Sequence, residues 1–141
     1  MDPILKQAVS ELNRGRSVVV YTALGPDDPS IERTRHIFDS EGVPRPEVSY
    51  WIGRQLGRLT REIVLRTDVR RLLIAGGDTE GFTVNELDMY GLQMLAPIAP
   101  GSPLCLVHAE HPRFDKLQIA LKGGQVGRED YFGRVQTGCR Q

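Results

Sequence analysis

Apolar residues along the chain change period repeatedly, and each change marks an element. Ile4, Leu5, Ala8, Val9 and Leu12 recur at helical spacing, with Gly15 placed to end the helix. Ser17 to Tyr21 is a short, almost continuous β-branched and aromatic run, which predicts a strand buried on both faces. Gly25-Pro26-Asp27-Asp28-Pro29 is a loop by composition, after which Ser30 is expected to cap a helix carrying Ile31, Ile37 and Phe38 and stopped by Gly42 and Pro44. Ile52, Leu56, Leu59 and Ile63 then predict one long amphipathic helix from about Val48 to Thr67, with Arg54, Arg58, Arg61 and Arg66 read as a solvated polar side.

The second half of the chain is strand-rich. Arg71 to Ala75 predicts a strand running into Gly76-Gly77-Asp78-Thr79, followed by a helix holding Phe82, Val84, Leu87 and Tyr90 and closed by Gly91. Leu92 to Leu95, Leu104 to Val107 and Leu117 to Leu121 are further expected strands, the first two separated by a rigid proline loop from Pro97 to Pro103. Gly123-Gly124-Gln125-Val126-Gly127 leads to a last short helix with Tyr131, Phe132 and Val135. Helices alternating with apolar strands predict a single α/β layered domain, with a mostly parallel or mixed sheet flanked by helices.

Composition narrows the functional classes. The 141 residues suit one domain, and 40% hydrophobic content is enough for a core without staples. Eighteen basic residues balance eighteen acidic ones, so no global field draws in nucleic acid or an anionic membrane. Cys105 and Cys139 lie far apart with no metal-like spacing, which fits a reducing, cytoplasmic setting. No leader-like segment opens the chain, and no run approaches the roughly 18 apolar residues of a membrane span.

The chemistry concentrates at two glycine corners. A strand that stops, small residues that let backbone N–H groups face outward, and a helix pointing its first turn at the site together make an anion cradle. Gly76 and Gly77 allow positive φ and close ligand approach, Asp78 or Thr79 is expected to cap the next helix, and the Thr79 hydroxyl is within reach of a phosphate. Lys122-Gly123-Gly124-Gln125-Val126-Gly127 is a second strand-to-helix corner, with Lys122 as a cation beside phosphates and Glu129 and Asp130 read as caps in the next helical turn. An ordinary tight turn explains either corner alone; two on one sheet edge favour a ligand. Neither matches the Walker pattern, where Gly-Lys-Ser/Thr ends the loop, or the G-x-G-x-x-G dinucleotide pattern.

Other clusters carry less. His108-Ala109-Glu110-His111 lacks the spacing that places two imidazoles on one helix face, and Pro112 marks a surface loop. His36 has no partner pattern, and Ser10, Ser17 and Ser30 have no nucleophile-elbow context. Tyr50 and Trp51 read as packing residues.

Four blocks in order resemble the C-terminal nucleotide-binding domain of the four-carbon acid sugar kinase family. They are Ser17 to Thr22, Leu73-Ile74-Ala75-Gly76-Gly77-Asp78-Thr79, Ile98-Ala99-Pro100-Gly101-Ser102-Pro103, and Ile119 to Gly127 followed by Glu129-Asp130-Tyr131-Phe132. The resemblance implies that residues 1–141 bind ATP with Mg2+ through Gly76, Gly77, Asp78, Thr79, Glu80, Lys122, Gly123, Gly124 and Gly127, with Asp78 as a candidate metal contact. It also implies that the sugar acid, of threonate or oxo-tetronate type, and the catalytic base belong to an N-terminal domain outside this chain, so that no catalytic residue is assigned here. Two positions depart from the pattern: Glu80 stands where the family usually has Ser or Ala, and Gly123 where many members have Ser. A non-catalytic nucleotide- or phosphate-binding module and a degenerate effector-like interaction domain are the alternatives, and a homo-oligomer stays open.

Overall fold

The computed structural model describes residues 2–124 and 127–138. The chain orders its elements as α1 (Pro3–Asn13), α2 (Pro29–Ser40), α3 (Arg45–Arg66), β1 (Arg71–Ala75), α4 (Gly77–Asn85), β2 (Met89–Ala99), β3 (Ser102–Ala109), β4 (Gln118–Lys122) and α5 (Tyr131–Thr137). The sheet is mixed, in the order β1-β4-β3-β2, with β1 and β4 parallel and the other two pairs antiparallel.

Strand alternation divides the core in two. On one face Val107, Ala109 and Ile119 meet Val64 of α3 and Leu87, together with Phe114 and Leu117. On the other, Leu104, Ala120 and Ile98 meet Tyr131 and Val135 of α5. The domain is therefore an α/β layered unit, as expected. The α3–α4 contact is unusually close because two glycines remove the side chains that would separate the helices. A Cβ on Gly53 would lie 2.8 Å from Phe82 Cβ, and one on Gly57 would lie 3.0 Å from the Thr83 backbone.

Several elements depart from the expected pattern, each for a local reason. Asp28 caps α2 in place of Ser30: its carboxylate accepts from the Ser30 and Leu24 N–H groups, which holds its pKa below the ordinary carboxylate value. The helix after the first corner ends at Asn85, and Tyr90 and Gly91 belong to β2. The proline loop is mostly strand, because β2 is an edge strand and tolerates Pro97 where no ladder donor is required. Only Pro100 and Gly101 form the turn, with Gly101 at φ 74. His108 and Ala109 likewise end β3, so the loop reading holds only from Glu110 onward.

Ser17 to Tyr21 is the clearest difference. The segment has no strand pairing among the described residues, and Val19 and Tyr21 are 64% and 60% exposed. Its β-branched composition specifies an extended chain, but a strand needs a neighbour to bond to, and among the described residues it has none.

Candidate functional site

Parallel pairing of β1 with β4 fixes the site. The register sets Ala75 opposite Lys122, so both strands stop at the same level and both glycine corners open on the same edge. A hydrogen bond from Gly76 N–H to the Lys122 carbonyl, 3.0 Å, ties the corners together.

Gly76 is the N-cap of α4, with φ 133 and ψ 131, a conformation that an L side chain rarely adopts. Gly76 takes the N-cap position, so Asp78 and Thr79 stand inside the helix, and their side chains lie outside what the structure describes. The first-turn N–H groups, which a helix leaves without internal partners, are the groups an anion would use. A Cβ added to Gly77 or Gly124 meets nothing within 4 Å, so open space lies beside both corners. Gly127 serves packing: at φ 92, a Cβ there would sit 2.7 Å from the Tyr131 ring. Gln125 and Val126 of the second corner lie outside the described residues.

Glu80 joins the corners electrostatically. The Lys122 backbone N–H and ammonium both favour its charged form, yet its Oε1 is buried with no hydrogen-bond partner. Burial prevails and pushes the Glu80 pKa above its ordinary value, the Lys122 interactions opposing it. Lys122 Nζ itself folds back to donate to the Gly123 and Gly124 carbonyls at 3.3 and 3.1 Å. Among the described residues no cluster of three or more metal-ligating side chains forms. The orphaned Glu80 oxygen suits a cation that arrives on phosphates, the usual way Mg2+ is held.

The proline turn supports the second corner from beneath, a link that sequence reasoning missed. Ser102, fully buried at the start of β3, donates its hydroxyl to the Leu121 carbonyl one residue before Lys122, and Tyr131 Oη bonds to the same Ser102 oxygen. Asp130 stands at the N-cap of α5 but makes no side-chain cap, and Glu129 precedes the helix, so neither plays the expected capping role. The predicted packing of Tyr50 does occur: it meets Phe82 of α4 edge-on at 5.2 Å, with Trp51 at 5.9 Å. Nor are the α3 arginines all solvated, since Arg54 pairs with Glu86 at 3.2 Å and Arg61 with Asp88 at 2.6 Å.

An α/β domain whose two parallel strands both end in glycine corners at one edge is the class that this geometry defines. The chain belongs to the family described as "Nucleotide-binding C-terminal domain", whose model matches residues 1–132. It is 36% identical over 138 residues to the 3-oxo-isoapionate kinase of Paraburkholderia graminis, covering 98% of this chain and 29% of that enzyme. It is 30% identical over 134 residues to the 3-oxo-tetronate kinase of Pseudomonas savastanoi pv. phaseolicola, covering 94% of this chain and 28% of the relative. The chain thus spans less than a third of the length of these curated relatives. Its fold is similar to that of a Haemophilus influenzae protein of the DUF1537 family, with a TM-score of 0.70 at 24% identity over 97% of this chain and 31% of the other. No helix among the described residues is long and apolar enough to cross a membrane.

Proposed function

We propose that residues 1–141 form the ATP-binding part of a kinase that phosphorylates a hydroxyl of a four-carbon sugar acid of the threonate or oxo-tetronate kind. The observation that carries this reading is the common level of the two corners, set by the Ala75–Lys122 register and the Gly76–Lys122 hydrogen bond. Backbone N–H groups at Gly76 to Thr79 and around Gly123, Gly124 and Gly127 hold phosphate oxygens, a role that needs glycine for close approach. Similarity to a kinase named for 3-oxo-tetronate, a four-carbon acid, supports the substrate class.

Phosphoryl transfer depends on positioning and charge neutralisation more than on covalent chemistry from the protein. Mg2+ bound to ATP would supply the neutralising charge, with Glu80, and Asp78 as a second candidate, on its protein side. The γ-phosphoryl group passes to the acceptor oxygen, ADP departs, and the acceptor proton goes to a base. That base and the sugar-acid site belong to an N-terminal domain of the longer, cytoplasmic polypeptide, and no catalytic residue is assigned in this chain.

ADP release from ATP, Mg2+ and a panel of four-carbon sugar acids tests the reading. The chain alone should be silent, and joining it to the N-terminal region of the Pseudomonas savastanoi relative should give substrate-dependent release. Turnover by the chain alone, or none after joining in a protein that still binds ADP, contradicts it.

A further inference from the structure

Tyr131 of α5 is 1% exposed, and three contacts tie it to the second corner. Its hydroxyl meets Ser102 Oγ. The Lys122 ammonium lies 6.0 Å from the centroid of its ring, and a Cβ on Gly127 would stand 2.7 Å from the same ring. Lys122 and Gly127, the two ends of the corner, thus rest on one side chain.

The hydroxyl bonds have a fixed direction. Ser102 Oγ donates its single proton to the Leu121 carbonyl, so Tyr131 is the donor to Ser102. Ser102 stands in for a ladder bond that the backbone cannot make. β3 pairs with β4 from Leu106↔Gln118 to Leu104↔Ala120; carried one pair further, the register sets Pro103 opposite Leu121, and proline has no N–H. The Leu121 carbonyl and the Lys122 N–H belong to one planar peptide unit. Its N–H end favours the charged form of Glu80, so the chain of groups from Tyr131 through Ser102 ends at the carboxylate between the two corners. Hydrogen bonds in series polarise and orient one another.

We propose that Tyr131 is a positioning residue for the nucleotide: through Ser102 it orients the Leu121–Lys122 peptide, and through its ring it places Lys122 and Gly127, so that the second corner has its phosphate-binding shape before a ligand arrives. The inference rests on the nucleotide reading above. Tyr131 acts through these neighbours rather than on the phosphates. A corner already held in shape loses less freedom when phosphate binds, which raises affinity without any added contact. The helix that carries Tyr131 is itself anchored at its other end, where Arg71 Nη1 of β1 donates to the Val135 and Gln136 carbonyls at 2.9 and 2.7 Å. The brace therefore has a fixed footing on the sheet.

Calorimetric titration of ADP with Mg2+ into Tyr131→Phe and Ser102→Ala, at a temperature where circular dichroism shows each variant folded, separates positioning from stability. Tyr131→Phe keeps the ring and removes the donor; Ser102→Ala breaks the same chain from β3 and carries the test if the first variant does not fold. Each should weaken binding by about tenfold, and the double variant should bind no more weakly than either single one. Val64→Ala, in the core on the other face of the sheet, should lower the denaturation midpoint and keep wild-type affinity. Wild-type affinity in the folded corner variants overturns the inference and leaves the corner site standing. Additive losses in the double variant overturn it as well, and so does an equal loss in Val64→Ala, since affinity would then follow stability alone. A wild-type chain that does not bind ADP overturns the nucleotide reading, and this inference with it.

Discussion

The Glu80 carboxylate in α4 lies close enough to Lys122, the last residue of β4, for the Lys122 backbone N–H and ammonium to favour its charged form, and so links the two glycine corners. Burial raises the Glu80 pKa despite Lys122. A carboxyl with a raised folded-state pKa favours the fold most below its unfolded value, and that contribution is lost as pH rises through the folded value. Glu80→Gln should therefore stabilise the domain, relative to wild type, more at pH 7 than at pH 4. Urea denaturation at the two pH values measures this; an equal effect at both contradicts the burial argument.

The same carboxylate should make nucleotide binding depend strongly on magnesium, because a negative group beside phosphates repels them unless a cation lies between. Glu80→Ser should raise ADP affinity in EDTA and reduce the gain on adding Mg2+. Unchanged or weaker metal-free binding would place Glu80 away from the phosphates.

Close α3–α4 packing predicts a stability cost at a position far from any ligand. A methyl group on Gly57 meets the Thr83 backbone, which cannot rotate away, so Gly57→Ala should destabilise by about 1–3 kcal/mol. A denaturation midpoint equal to wild type would show that the helices have room.

Ser102 couples the proline turn, β4 and α5, and its two hydrogen bonds are shared. Ser102→Ala leaves the Tyr131 hydroxyl and the Leu121 carbonyl without this partner and should cost about 1–3 kcal/mol. Adding Tyr131→Phe should cost less than in the wild-type background, since the bond is already broken. Strict additivity in that double-mutant cycle would mean that the two hydroxyls do not interact.

Local signals in the sequence were read well where they settle a structure locally. The long helix, the strand into Gly76 and the two strand-to-helix corners follow from period and glycine placement, and they appear nearly as expected. Their adjacency depends on β1 pairing with β4 across an intervening hairpin, which composition does not encode. Ser17 to Tyr21 is not a strand because pairing is a property of two segments, and among the described residues it pairs with none. Leu87 and Tyr90 fit helical spacing, yet α4 ends at Asn85 and Asp88, at φ 51, turns the chain into β2, which takes Tyr90 and Gly91. The Gly53–Gly57 spacing was visible but was submerged in the apolar stripe of α3.

Calorimetric titration of ADP with Mg2+ into the wild-type chain and into Gly77→Val and Gly124→Val tests the central claim, that both corners form one phosphate site. Both positions have open space around a new Cβ, so the variants should keep the wild-type circular dichroism and melting behaviour. The account predicts weak but measurable binding by wild type and its loss in each variant. Wild-type affinity in both variants would contradict it.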